Sequence, residues 1–259
     1  MSQEKKSLPN YTNPPVQEVG IIFSYTGSDI NLFSSAVTDF ITQNKPDILS
    51  LRLDYQLIPT TDSEFKNITL PDDIKDIQTI KRLIGINVLD TSQTKNVNIS
   101  LGRFQFSSTR NKDNIPRYSA VSNDIFHWYE SFASDYSAIS KLELYYKDKI
   151  VIPTEQINND SKLYFNLAVN LPENFPIPQA FTFHSQPKDK SATEAFSLEL
   201  DHFEENANSV YHLNWHLEHQ LNDGGCNKNE IIECLDKMHQ ILYDRFNELI
   251  TDKCKRLFD

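Results

Sequence analysis

The chain has 259 residues, 39% of them hydrophobic, which is enough for an ordinary globular core. Its 25 basic and 36 acidic residues give a net charge of −11, which repels phosphate backbones and anionic lipid headgroups. This balance disfavours nucleic acids and membranes as partners and suits basic ones.

No stretch approaches the roughly 20 apolar residues of a membrane helix, and the first residues lack the apolar core of a signal peptide. Cys226, Cys234 and Cys254 are an odd number without a CxxC pair, so neither a disulfide framework nor a thiolate metal site is indicated. We therefore expect a soluble protein in a reducing cytoplasm.

The N-terminal region predicts an arm, a strand and a helix. Residues 1–15 are charged and proline-rich, which favours a flexible arm. Alternating apolar residues from Gln17 predict a strand that ends at the N-cap signal Thr26-Gly27-Ser28. The helix that follows is predicted to end before Lys45-Pro46. Its apolar stripe comprises Ile30, Phe33, Val37, Phe40 and Ile41.

Strands dominate the next segment of the sequence. Alternation over 49–55 predicts a half-buried strand, and the polar stretch 60–76 predicts a loop. Three further strands are predicted at 82–89, 96–101 and 103–108. The short connections between them imply antiparallel pairing.

A second helix is predicted to begin at Pro116. Its apolar stripe comprises Val121, Ile125, Trp128, Phe132 and Tyr136. Later strands are predicted at 142–146, 150–152, 180–184 and 195–202, with a helical turn around 161–167. The segment 210–221 alternates and is therefore predicted to be a strand, with one apolar face made by Tyr211, Leu213, Trp215, Leu217 and Leu221.

The C-terminal region predicts the longest helix of the chain. Asn227 and Glu230 have the spacing of a capping box at its start. We expect the helix to continue to within a few residues of Asp259, with His239 partly buried beside its apolar stripe. That stripe is Ile231, Leu235, Met238, Leu242, Phe246, Leu249 and Ile250.

These elements predict an α+β fold of antiparallel sheets with helices packed on one face. After the arm at 1–15, the halves 16–137 and 138–259 have similar outlines, since each consists of several antiparallel strands closed by a helix. We therefore expect two similar halves.

Common catalytic and cofactor motifs are absent from the sequence. The six glycines form neither GxGxxG nor a phosphate-binding GK[ST] loop, and there is no GxSxG or HExxH. We accordingly expect no cofactor and no catalytic residue.

Two clusters of polar residues are candidate sites. His202, His212 and His216 lie close in sequence, but in a strand His212 and His216 are about 13 Å apart, too far to share one metal ion. Cross-strand pairing with His202 would still bring two imidazoles together, so a metal site stays an alternative. Arg103, Arg110 and Arg117 lie around the second helix start, so with Tyr118 they are candidates for an anion site.

Four motifs along the chain identify a resemblance. They are Pro14-Pro15-Val16-Gln17-Glu18 before the first strand, Arg103-Phe104 followed by Pro116-Arg117-Tyr118, Leu142-Glu143-Leu144-Tyr145-Tyr146, and the closing-helix series Leu235, His239, Leu242, Phe246, Ile250 and Thr251. In this order they resemble a sporadically distributed bacterial family of proteins of about 250 residues that has no established activity. The patchy distribution of that family implies an accessory role.

Three functions follow as hypotheses. The first is a non-enzymatic binding or regulatory protein that engages a protein partner, such as an immunity, antitoxin or phage-defence component. The second is a small-ligand or nucleotide-binding pocket between sheet and helix with the arginines as anion contacts. The third is a metal-dependent enzyme that uses the histidine-rich hairpin.

Overall fold

The structure is a computed structural model that describes residues 11–25, 30–60, 78–133, 135–157, 164–166, 180–185, 194–221 and 226–259. Its strands in chain order are β1 (Val16–Tyr25), β2 (Ile48–Thr60), β3 (Gln78–Asp90), β4 (Lys95–Ser100), β5 (Arg103–Thr109), β6 (Ile139–Pro153), β7 (Ala180–Ser185), β8 (Glu194–Glu205) and β9 (Asn208–Gln220). Apart from Thr60, which ends β2, the predicted loop 60–76 lies outside these residues, as does most of the predicted turn at 161–167.

Within the described residues, all strands join one antiparallel sheet in the order β2-β3-β4-β5-β1-β6-β9-β8-β7. The pair β1 and β6 lies at its centre, with Ile21 opposite Leu144 and Phe23 opposite Leu142. The first five strands of the chain therefore continue without a break into the last four. The predicted α+β class is confirmed.

Three long helices, α1 (Ile30–Asn44), α2 (Tyr118–Phe132) and α4 (Lys228–Leu249), accompany the sheet. The short helices α3 (Thr154–Ile157) and α5 (Asp252–Lys255) and a 3₁₀ turn at Lys45–Asp47 complete the described helical elements. The predicted capping box of α4 is confirmed, because the Asn227 side chain accepts from the Glu230 N–H and the Glu230 carboxylate accepts from the Asn227 N–H.

Helices α2 and α4 pack on the same face of the sheet. The ring of Phe23 on β1 contacts Phe126 and Tyr129 of α2, and Trp215 on β9 contacts Phe246 of α4. The register places Phe23 and Trp215 on one face of the sheet. Phe23 is paired with Leu142, and Trp215 is paired with Tyr146. Leu142 and Tyr146 are four residues apart on β6, so their side chains point to the same face. Helix α1 packs against α2 through the pairs Phe33–Phe132 and Phe40–Trp128.

Three details of the predicted elements are wrong. The strands expected at 142–146 and 150–152 form the single strand β6, because β1 and β9 pair with it on both sides through the intervening residues. Helix α2 ends at Phe132, before Tyr136. Helix α4 ends at Leu249, because Ile250 is extended and bridges to Phe165, while the Thr251 side chain caps α5.

Residues 11–15 of the proline-rich arm are bound to the sheet and to the C-terminal segment. The Asn13 N–H donates to the Phe258 carbonyl, and the Pro15 carbonyl accepts from the Lys149 N–H. The Arg110 guanidinium donates to the Pro14 carbonyl at 2.5 Å. This part of the arm is therefore positioned directly before β1.

Gly20 on β1 provides the space occupied by the Tyr145 ring on the face of the sheet opposite α2 and α4. A Cβ atom at Gly20 would lie 2.2 Å from Tyr145 Cζ. The Tyr145 hydroxyl donates to Glu18 Oε1 at 2.8 Å and accepts from Gln105 Nε2 at 2.9 Å. A side chain at Gly20 would break this arrangement.

We expect Gly20→Ala to lower the free energy of unfolding by about 1–3 kcal/mol, the usual cost of overpacking, because the added methyl displaces the tyrosine ring. Urea denaturation measures the change. Ser24→Ala, on the same strand and face, is the matched control and should change stability by less than about 0.5 kcal/mol. Equal stability of the two variants would contradict the packing argument.

Candidate functional site

A cavity of about 340 Å³ opens on the helix face of the sheet, between the sheet, α4 and the start of α2. Its base is formed by strand residues, and its sides by α4, by the residues that start α2 and by the arm. The strands contribute Tyr146, Asp148 and Trp215, and α4 contributes His239, Leu242, Tyr243 and Phe246. The start of α2 contributes Pro116, Arg117, Tyr118 and Ser119. The arm and β1 contribute Tyr11, Pro14, Pro15 and Val16.

Asp148 is the chemically unusual residue of this cavity. It lies on the apolar, helix-facing side of β6, two residues beyond Tyr146, and is only 5% exposed. Trp215 Nε1 donates to its Oδ2 at 2.9 Å. Burial raises the pKa of the Asp148 carboxyl to about 7, and the hydrogen bond from Trp215 opposes this shift only in part.

An imidazole lies between two phenol rings in the wall of the cavity. The His239 ring stacks on Tyr118 with a centroid distance of 4.2 Å and an interplanar angle of 12°, and it lies 6.0 Å from the Tyr146 ring. His239 Nδ1 and the Tyr146 hydroxyl form a hydrogen bond of 2.7 Å. The Tyr118 hydroxyl donates to Asp236 Oδ1 at 2.9 Å, so the three rings are fixed in position.

The protonation states of these rings follow from their burial. Burial lowers the pKa of His239, and nearby Asp236 offsets this only in part, so the imidazole is neutral at pH 7. Burial, with the neighbouring Tyr118 and Asp148, raises the pKa of Tyr146 well above its ordinary value. The cavity wall at neutral pH therefore contains a neutral imidazole and protonated phenols beside a carboxyl group that titrates.

The three arginines named as anion ligands lie apart. Arg103 lies on the opposite face of the sheet, 3.8 Å from Glu143, and Arg110 binds the carbonyls of Pro14 and Val16. Arg117 is exposed at the rim of the cavity, with Tyr118 in the wall. Of the four predicted anion-site residues, the structure brings only Arg117 and Tyr118 to the cavity.

The three histidines named as metal ligands are also separated. His202 lies opposite Tyr211 on the helix side of the sheet and stacks on that ring. His212 and His216 lie on the other side of the sheet. His212 is paired with Asp201, and His216 is paired with Ser197. The structure therefore does not gather these histidines around one point.

His216 belongs to another cluster of side chains that offer metal-ligand atoms, together with Glu143 and Glu218. One ligand atom each from Glu143, His216 and Glu218 lies within 4.8 Å of the others. The Lys141 ammonium is 2.8 Å from Glu143 Oε1 and 3.3 Å from Glu218 Oε2, and so already supplies a cation. Burial alone would raise the pKa of Glu143, but hydrogen bonds from His216 and Lys141 and the charges of Lys141 and Arg103 lower it to about 2. We interpret this group as a salt-bridge network.

Sequence reasoning missed Asp148 as a site residue. The polar residues 147–149 lie between the strands predicted at 142–146 and 150–152, and this prediction assigns Asp148 to no face of a strand. The available signal was the alternation Leu142, Leu144, Tyr146, Asp148, Ile150 and Ile152, which places a carboxyl group in the middle of an apolar face if the strand is continuous.

Residues from all four motifs of the family resemblance line this cavity. Pro14 and Pro15, the Pro116-Arg117-Tyr118 sequence, and His239 with Leu242 and Phe246 all line it, as does Tyr146. The cavity is thus lined by residues of motifs that are far apart in the sequence.

Comparisons with protein-family models, curated proteins and solved structures find no match to this chain. Among the helices that the structure describes, none combines the length and apolar character needed to cross a bilayer.

We expect Asp148→Asn to become more stable than the natural protein as the pH rises. The pKa of this carboxyl is raised from 3.8 to about 7 on folding, so its contribution to the free energy of unfolding falls as the pH rises from about 4 to about 7. Asparagine still offers an oxygen to Trp215 and does not ionise. Between pH 5 and pH 8 the variant should gain about 2–3 kcal/mol over the natural protein.

Urea denaturation at pH 5, 6, 7 and 8 measures this gain. Asp201→Asn, which alters an exposed carboxylate on the other face of the sheet, is the matched control and should show no such trend. A stability difference for Asp148→Asn that stays constant across this range would show that Asp148 does not titrate as described.

Proposed function

We propose that this protein binds a small organic molecule in the cavity between the sheet, α2 and α4, and that binding, rather than catalysis, is its activity. The observation that supports this most directly is a nearly buried carboxyl group, Asp148, at the base of an aromatic-lined cavity of about 340 Å³. Ligand sites commonly combine this size with apolar walls and a few placed polar groups.

The shape of the site supports a ligand with a flat apolar body. Ring faces and edges of Tyr118, Tyr146, Trp215 and Phe246 line the cavity, and the neutral imidazole of His239 completes this surface. Aromatic side chains offer large contact areas and lose little conformational entropy on binding. An aromatic or cyclic group is therefore the expected ligand body.

The arginine positions argue against a phosphate-rich ligand. Of the three arginines, only Arg117 lines the cavity, at its exposed rim. Arg110 binds the carbonyls of Pro14 and Val16, and Arg103 lies near Glu143 on the other face of the sheet. An anionic group inside the cavity would also face the Asp148 carboxyl. We therefore favour a compact ligand with an apolar body over a nucleotide. We also propose that the protein works in the cytoplasm.

A ligand-observed NMR screen of small aromatic compounds tests this function. Ser119→Trp should weaken binding of any cavity ligand by about tenfold or more, because Ser119 is exposed at the rim and a tryptophan there covers the opening. Ala120→Trp is the matched control, since Ala120 is also exposed and adjacent on α2 but does not line the cavity.

The screen has two decisive outcomes. Compounds that bind the natural protein and Ala120→Trp but not Ser119→Trp would locate binding in the cavity. Absence of any binder, or binding that is the same in both variants, would contradict the proposed function.

A further inference from the structure

We propose that the ligand of this cavity is an organic cation, a protonated amine or quaternary ammonium group on an apolar body, with its positive end against Asp148. This inference rests on the proposed function, since it names the chemical class that the same cavity takes.

The hydrogen bonding of Asp148 supports this choice. Among the described residues, the only hydrogen bond to its side chain is the one from Trp215 Nε1 to Oδ2. An ionised carboxylate has about four lone-pair positions, so a single neutral donor leaves most of them unused. An ammonium group would supply a charge-assisted hydrogen bond and compensate the buried charge.

The aromatic lining supports the same choice. Aromatic ring faces attract cations within about 6 Å of their centroids, most strongly at tryptophan. Tyr146 lies two residues from Asp148 on the same face of β6, and Trp215 lies opposite Tyr146 and contacts the carboxyl directly. A cation near Asp148 would thus also lie near aromatic rings.

The charges around the cavity give the ligand a direction. The other ionisable residues that line the cavity are Tyr146 on β6, His239 and Tyr243 on α4, Arg117 and Tyr118 at the start of α2, and Tyr11 in the arm. Burial lowers the pKa of His239, so the imidazole is neutral, and the carboxyl group of the lining is Asp148 at the base. The cationic end of a ligand is therefore expected at the base of the cavity, and the net charge of −11 attracts cations to the protein.

Cation binding should be coupled to the ionisation of Asp148. Burial raises the pKa of this carboxyl to about 7, so the ionised fraction increases about tenfold between pH 6 and pH 8. A cation binds the ionised form more tightly than the neutral form. Its affinity should therefore rise about tenfold over this range, with release of a proton on binding near pH 7.

Calorimetric titration with benzylamine, benzyltrimethylammonium, benzyl alcohol and benzoate tests the assignment at pH 6 and pH 8. These probes share one ring and differ in charge. We expect both cations to bind about tenfold or more tightly than the other two probes at pH 8, and to lose most of this advantage at pH 6.

Asp148→Asn should lower the affinity of the two cations about tenfold or more and remove its pH dependence. Urea denaturation at pH 8, where this variant should be at least as stable as the natural protein, shows that it is folded. Asp201→Asn is the matched control and should leave all four titrations unchanged.

The possible failures are distinguishable. If benzoate or benzyl alcohol binds as tightly as the cations at pH 8, the assignment to cations is wrong while the proposed binding function stands. If none of the four probes binds, the cation assignment is rejected, and the fragment screen with the Ser119→Trp variant then decides the proposed function separately.

A different part of the molecule supports a second, independent proposal. Strand β2 is at one end of the sheet among the described strands, and Leu51, Leu53 and Tyr55 are 38%, 38% and 49% exposed along it. We propose that a second copy of this chain pairs with β2 in antiparallel orientation, centred on Leu53. An apolar strand at a sheet edge is a ready template for such pairing.

Charge complementarity selects this partner and this register. Pairing centred on Leu53 places Leu53 opposite itself, Leu51 opposite Tyr55, and Arg52 opposite Asp54 twice. Arg52 and Asp54 already form an exposed ion pair of 3.2 Å within one strand. A register centred on Arg52 would instead place two guanidinium groups opposite each other.

Sedimentation equilibrium and size-exclusion chromatography with light scattering test the dimer. We expect the natural protein to form a dimer at high micromolar concentration and Leu53→Lys to be a monomer. The control Leu101→Lys changes an exposed leucine in the turn between β4 and β5 and should leave the dimer intact. Arg52→Asp and Asp54→Arg should each weaken the dimer, and the double variant should restore it. A natural protein that remains monomeric at high micromolar concentration would overturn this proposal.

Discussion

The antiparallel pairing of β1 with β6 is the interaction on which the rest of the structure depends. It joins the strands of the first part of the chain to those of the second, with Phe23 opposite Leu142 and Ile21 opposite Leu144 in the core. Helices α2 and α4 pack on the same face of this continuous sheet, and Tyr118 at the start of α2 contacts His239 and Asp236 of α4. The cavity forms beside this pair of strands, where the arm enters β1.

The cavity is lined by side chains that destabilise the fold as well as by those that stabilise it. Asp148 occupies a position that alternation would assign to an apolar residue, and its ionisation at neutral pH opposes folding because its carboxyl is nearly excluded from water. Trp215 and the fixed rings of Tyr118, His239 and Tyr146 surround this weak point. Destabilising groups of this kind are typical of functional sites.

Much of the fold was predictable from local patterns. The alternation over 210–221 correctly predicted β9, and the spacing of Asn227 and Glu230 correctly predicted the start of α4. Boundaries that depend on distant partners were predicted less well. Ile250 ends α4 because it bridges to Phe165, and no residue near Ile250 in the sequence indicates that contact.

The sequence by itself determined the class of fold, the long helices and the faces of most strands, because alternation, helical periodicity and capping depend on neighbours within a few residues. Only the tertiary structure decided that residues 147–149 continue β6, since that requires β1 and β9 on both sides. The same pairing turns Asp148 toward α4, separates Arg103 and Arg110 from Arg117, and brings the arm, Tyr118 and His239 together. A site assembled from five distant segments depends on long-range pairing, which short-range patterns do not encode.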